Sequence, residues 1–346
     1  MPSTAATTAA DTRPASTWRR GGVSAVHSVD RFVFSVPDLA EAERFYRTFG
    51  LDARRETSPQ GHDALSLRTF GNPHVWGTVH PAPGIKQLQY VSFGIFEEDA
   101  PVFADRIRQR GIGIDAHPLG EARGLWLRGP DGLAIQLVVA EKVAPSWKTT
   151  PVVNVVKPGA GAAPSRSKMA QVRPRYLSHI LLFTADVTAA LKFYAEVLGL
   201  RLSDHSRDIV AFMHGAHGSD HHLVAFAKSS GGGLHHTSWD VGSIHDVGQG
   251  IDQLRSAGYE QGWGLGRHVL GSNYFYYARD PWGSYAEYSH DIDFVPHDLD
   301  WPAADHDPED SFYVWGPQPP ADFITNHEHP TPGEAPPAAR AATGAV

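Results

Sequence analysis

Cysteine is absent from all 346 residues. Disulfides, thiolate-bound zinc, iron–sulfur clusters and cysteine nucleophiles are therefore excluded, and any metal has to rest on His, Asp and Glu. No apolar run approaches the roughly 20 residues that a membrane-spanning helix needs. Positive charge is also scarce. Thirty Lys and Arg face 38 Asp and Glu, a net charge of -8, which leaves no electrostatic footprint for nucleic acid. The first residues are rich in Ala, Thr and Ser but lack the apolar stretch of a secretory signal, so the chain reads as a cytoplasmic protein.

What is present bounds the answer from the other side. Hydrophobic residues make up 41% of the chain, enough for substantial cores, and the length suits two domains with flexible ends. Composition sets the boundaries. Residues 1–24 and 331–346 read as disordered tails, and 144–173, containing PGAGAAPSRS, as a linker. That leaves an N-terminal domain over 25–143, a C-terminal domain over 174–296 and an arm over 297–330. The arm is rich in aromatic residues and Pro, and suits either a lid or an oligomer contact.

The two domains look like copies. DRFVFSVPDLAEAERFYRTFGL (30–51) parallels SHILLFTADVTAALKFYAEVLGL (178–200). Each is an apolar strand, an Asp suited to cap a helix N-terminus, an amphipathic helix ending in Phe-Tyr, and a Gly stop. LQYVSFGI (88–95) parallels LHHTSWDV (234–241), and RGPDGLAIQLVV (128–139) parallels ARDPWGSYAEYS (278–289).

Three potential ligands fall on strands of the second copy only: His179, His236 and Glu287. A lone His on an apolar strand is usually a hydrogen-bonded core residue, and a lone Glu is usually solvated. Together, two imidazoles and one carboxylate form the facial set suited to Fe(II) that must leave positions open for substrate and O₂. The first copy serves as an internal control, with Arg31, Tyr90 and Gln136 at the matching positions. One metal site, in the second half, is the expectation.

These residues resemble the vicinal oxygen chelate superfamily and, within it, the type I extradiol dioxygenases of the catechol 2,3-dioxygenase group. The run GLGRHVLGSNYFYYARDPWGSYAEYSHDIDFVP (264–296) is especially similar to metapyrocatechase-type enzymes. The resemblance implies an α+β fold of paired βαβββ modules, two tandem domains that each form an open barrel. It implies Fe(II) on His179, His236 and Glu287, with Mn(II) suited by the same donors. It also implies an active-site His on the strand before His236: His222, fourteen residues earlier, with His221 as the fallback. His268 and Tyr277 map to positions flanking the substrate, and Asn273 to the shaping of this loop, while His221 and His235 also read as ordinary surface or supporting groups. The implied reaction is O₂-dependent cleavage of a catechol-type ring beside its two hydroxyls, in a homo-oligomer, often a tetramer. Competing readings on the same fold are a glyoxalase-like isomerase or lyase, which draws its ligands from two modules, and a small-molecule binding protein without metal. A 4-hydroxyphenylpyruvate dioxygenase-like enzyme would share the ligand logic, but its C-terminal signature is missing.

Overall fold

The computed structural model describes residues 18–58, 60–153 and 155–329; the rest of the two tails lies outside the described residues. In the N-terminal half, β1 (Ser28–Val36), α1 (Leu39–Phe49), β2 (Asp52–Thr57), β3 (Asp63–Thr69) and β4 (Asn72–Pro81) form one module. A second follows as β5 (Gln87–Ile95), α2 (Ala100–Arg110), β6 (Leu125–Arg128) and β7 (Ala134–Val139). The C-terminal half repeats the plan with β8 (Leu177–Thr184), α3 (Val187–Glu196), β9 (Arg201–Ser206), β10 (Val210–His214), β11 (Ser219–Asp220) and β12 (Val224–Lys228). Then come β13 (Gly233–Asp240), α4 (Ile244–Ser256), β14 (Gly262–His268), β15 (Tyr274–Arg279) and β16 (Tyr285–His290). The arm adds β17 (Phe294–Val295), β18 (Ala304–Asp305), α5 (Pro308–Ser311) and β19 (Tyr313–Trp315).

The helix signals act as their chemistry requires. Asp38 accepts from the N–H groups of Ala40 and Glu41, and Asp186 from that of Ala189. α1 buries Leu39, Ala42, Phe45, Tyr46 and Phe49 along one face and ends at Gly50, with φ 101°. A Cβ at Gly50 would lie 2.0 Å from the Val172 carbonyl oxygen, so glycine is required for space as well as conformation.

The first sheet runs β2-β3-β4-β1-β5-β7-β6, and the second β18-β9-β10-β12-β8-β13-β16-β15-β14-β19. The arm thus supplies a strand at each edge of the second sheet and covers backbone that would otherwise be unpaired. Register confirms the duplication. Arg31 lies opposite Ser92 as His179 lies opposite Ser238. Tyr90 lies beside Ala134 as His236 lies beside Tyr285. Arg31, Tyr90 and Gln136 therefore occupy the sheet positions of His179, His236 and Glu287.

The halves share one core. The Phe49 ring stacks on Tyr288 at 4.1 Å, and the Tyr288 hydroxyl donates to the Phe49 carbonyl at 2.6 Å. Trp239 meets Phe32 and Trp76 edge-on. Each such aromatic buries enough surface to contribute about 1.5–3 kcal/mol. Residues 18–24, expected within the disordered tail, are instead held. Arg19 pairs with Asp99 at 2.7 Å, Arg20 with Asp300 at 2.7 Å, and Trp18 packs on Trp147. Composition alone gives no sign of these long-range pairs. No helix among the described residues is long and apolar enough to cross a membrane.

Candidate active site

β8, β13 and β16 are neighbours at the centre of the second sheet, and each contributes one side chain to the same point. His179 and His236 are 2% exposed and Glu287 is 0% exposed. Their ligand atoms all lie within 4.8 Å of one another. Glu287 Oε2 is 3.3 Å from His179 Nε2 and 3.5 Å from His236 Nε2. Glu287 Oε2 and His236 Nε2 have no hydrogen-bond partner although both are shielded from solvent. Leaving such atoms unsatisfied is costly, and a divalent cation between them would satisfy both.

Neighbouring groups fix which atom of each ligand faces inward. His235 Nε2 lies 2.8 Å from the Phe323 carbonyl and must donate to it, and burial lowers the His235 pKa to about 4. Neutral His235 can therefore only accept at Nδ1, from His236 Nδ1–H at 2.7 Å, which leaves the His236 Nε2 lone pair pointing into the site. Ser178 donates to Asp220 at 2.6 Å and lies 3.2 Å from His179 Nδ1, so its oxygen accepts there and His179 is oriented alike. Asn273 donates to Glu287 Oε1 at 3.1 Å and to Ser289 at 3.0 Å, freeing Oε2. Burial would raise the Glu287 pKa, but contact with His179 and the nearby His268 and Ser238 hold it below its ordinary value.

His222 packs against His179 with ring centroids 3.9 Å apart and the planes tilted by 49°, and it lines the cavity; His221 does not line it. Burial, then the rings of His179 and His221, push the His222 pKa well below the ordinary value. Behind it, His221 Nδ1 meets His222 Nδ1 at 3.1 Å and His221 Nε2 meets Asp204 at 2.9 Å. Asp204 also accepts from His306 at 2.7 Å and from Trp301 at 3.2 Å, both on the arm. With His221 Nε2–H donating to Asp204, its Nδ1 accepts from His222 Nδ1–H, which leaves His222 Nε2 as a base. On the opposite side, His268 Nδ1 donates to the Phe312 carbonyl at 2.9 Å, so its Nε2 accepts from the Tyr277 hydroxyl at 2.8 Å. Burial, then Glu287, keep the Tyr277 phenol well above its ordinary pKa, and it stays a hydroxyl.

The glyoxalase/bleomycin resistance protein/dioxygenase superfamily model matches residues 176–288. Metapyrocatechase 2 of Cupriavidus necator is 45% identical over 88% of this chain and 93% of its own length. An extradiol ring-cleaving dioxygenase from Brevibacterium fuscum superposes with a TM-score of 0.68 at 20% identity, covering 88% of this chain and 82% of that one. The Mn(II)-bound glyoxalase from Novosphingobium aromaticivorans does so at 0.66 and 23%, covering 86% and 94%. The chain belongs to the type I extradiol dioxygenases.

In this dioxygenase the space in front of the triad is a cavity of ≈ 260 Å³. Leu181, Val210, Phe212 and Leu270 form much of its wall, and Phe312, Phe323 and Ile324 bring the arm over it. Sequence analysis offered the arm as a lid or an oligomer contact, but not its backbone contacts to the site. Phe312 and Phe323 contribute main-chain carbonyls as well as rings, and a carbonyl leaves no trace in side-chain identity. Asp204 carried only a weak signal, as an Asp within a strand.

Proposed function

We propose that this dioxygenase holds Fe(II) on His179, His236 and Glu287 and cleaves an unsubstituted or alkyl-substituted monocyclic catechol beside its two hydroxyls. The product is of the hydroxymuconic semialdehyde type, and the enzyme works as a cytoplasmic homo-oligomer. The observation that carries the reading is the buried convergence of two imidazole lone pairs and one oriented carboxylate on an apolar cavity. The bound ion would supply Lewis acidity and a common meeting point for the diol and O₂. Both oxygen atoms of O₂ enter the product, so the reaction needs no external reductant.

The chain's own groups do the rest. His222 Nε2, the unprotonated nitrogen, takes a proton from a catechol hydroxyl and returns it when the O–O bond breaks. Tyr277, its proton directed to His268, offers oxygen lone pairs to the remaining substrate hydroxyl. The walls favour a neutral ring. Lys228, at the rim, is already paired with Asp208, and no arginine is among the described lining residues. A catechol bearing a carboxylate would have no free cation to meet it.

The test is to purify the protein without oxygen, load it with Fe(II) or Mn(II), and mix it with a catechol panel in aerated buffer. Oxygen uptake matched to yellow ring-opened product, highest with Fe(II) and abolished in Glu287→Ala, is the expected result. Replacing His222 by Phe should retain the metal yet slow turnover by about a hundredfold or more. Bound iron with no uptake on any diol would reject ring cleavage, and full activity with Mn(II) alone would reject the assignment of iron.

A further inference from the structure

The half without the triad has a chamber of its own. A cavity of ≈ 220 Å³ lies within the first sheet, close in size to the ≈ 260 Å³ catalytic cavity. Arg31, Tyr90, Gln60, Ser66, Thr78 and His80 are among its lining residues. Arg31 and Tyr90 hold the register positions of His179 and His236. Where one half gathers ligands for a cation, the other places a fixed cation.

The buried carboxylate of Asp30 feels the charge of Arg31 but makes no hydrogen bond to it. Arg31 Nε is shielded from solvent with no hydrogen-bond partner, and no described residue forms an ion pair with the guanidinium. Two carboxylates border the chamber, but Glu56 is paired with Arg68 at 2.7 Å and Glu121 with Arg123 at 2.6 Å. Two acceptors are orphaned beside it. His80 is 3% exposed and its Nδ1 is unpartnered, and Gln60 Oε1 is likewise shielded without a donor. The other hydrogen-bonding partner of the His80 ring is the Asp63 backbone, and burial lowers its pKa, so Nδ1 carries a lone pair. Native proteins seldom leave several buried polar atoms unsatisfied around one void.

We infer that the chamber is a second small-molecule site, built for a small hydroxycarboxylate. The carboxylate meets the planar fork of Arg31, and the hydroxyl donates to His80 Nδ1 or Gln60 Oε1. Tyr90, its phenol pushed up to about 12 mainly by burial, remains protonated at neutral pH. The ring-opened product proposed above carries a carboxylate and an enol hydroxyl and so falls within this class, a step that rests on that proposal. The site itself does not, because its ligand chemistry is read from the other half of the chain.

The experiment is calorimetric titration of the metal-loaded full chain with malate, and with succinate as the partner lacking a hydroxyl. Malate should saturate one site per chain and bind more tightly than succinate. Arg31→Met should weaken malate by about tenfold or more, as expected for loss of a charge-assisted hydrogen bond. Glu287→Ala, which disables the catalytic site, should leave malate binding unchanged. Should Arg31→Met fail to fold, as read by circular dichroism, His80→Phe serves in its place and should reduce the preference for malate over succinate. No saturable binding at tens of millimolar malate, equal affinity for both acids, or loss of binding in Glu287→Ala would each overturn the inference. All these readouts stand whether or not the enzyme cleaves catechols.

Discussion

At the scale of single residues, the site depends on which nitrogen of each imidazole carries its proton. Three different supports do the same job: a neutral imidazole behind His236, a serine hydroxyl behind His179, and His221 on Asp204 behind His222. Glu287 is treated similarly, since Asn273 occupies one carboxylate oxygen and leaves the other to face the ligands. Removing that amide should loosen the ligand without deleting it. Asn273→Ala is expected to cost about 10–100-fold in metal affinity or in kcat/KM. Metal content after dialysis, measured alongside turnover of reloaded protein, checks this, and unchanged values in both would mean the amide does not position Glu287.

At the scale of elements, the arm belongs to the catalytic site. β18 and β19 extend the two edges of the second sheet. Between and beyond them, the Phe312 and Phe323 carbonyls hold His268 and His235, while the two rings close the cavity. Phe312→Ala keeps the carbonyl and removes only the ring. The expected result is a fall of about tenfold in kcat/KM for catechol, with a smaller fall or a gain for bulkier alkylcatechols. Steady-state kinetics across a series of alkyl chain lengths would decide it, a uniform fall counting against the ring as a wall.

At the scale of the whole molecule, the halves are joined by a continuous core and by a buried ion pair, Lys86 with Asp280, whose side chains are 3% and 1% exposed. Lys86→Met leaves the Asp280 carboxylate buried without a cation, held only by the N–H groups of Trp282 and Ser284, and should destabilise the protein by about 3–5 kcal/mol. Lys86→Met with Asp280→Leu should recover much of that loss; denaturant unfolding of both variants provides the comparison. Acid sensitivity is also a property of the whole fold. Burial lowers the pKa of His27 to about 3 and those of His214, His217 and His235 to about 4. Between those values and the unfolded value near 6.5, the unfolded chain binds more protons, so this stability is complete above pH ~6.5 and is lost as pH falls toward 4. Burial also raises Asp220 to about 7 and Asp240 to about 6, which opposes the trend over part of the same range. Four imidazoles outweigh two carboxyls, and the thermal midpoint should drop between pH 7 and pH 5. An equal or higher midpoint at pH 5 would contradict the balance.

The chain's linear order already determined a good deal. Without cysteine, metal chemistry was confined to His and carboxylates, and the repeat at Asp38 and Asp186 singled out His179, His236 and Glu287 by contrast with Arg31, Tyr90 and Gln136. Helix caps, strand alternation and spacing are local properties, so they can be read from neighbours in sequence. Tertiary structure alone decided the rest. Spacing favoured His222 with His221 as the fallback but could not settle the choice, because adjacent strand residues differ only in the face the sheet gives them; here His222 lines the cavity and His221 binds Asp204. Nor could it find the Phe312 and Phe323 carbonyls, or pair Lys86 with Asp280 across 194 positions. Those contacts join groups with no local pattern in common, and only the closed chain brings them within hydrogen-bonding distance.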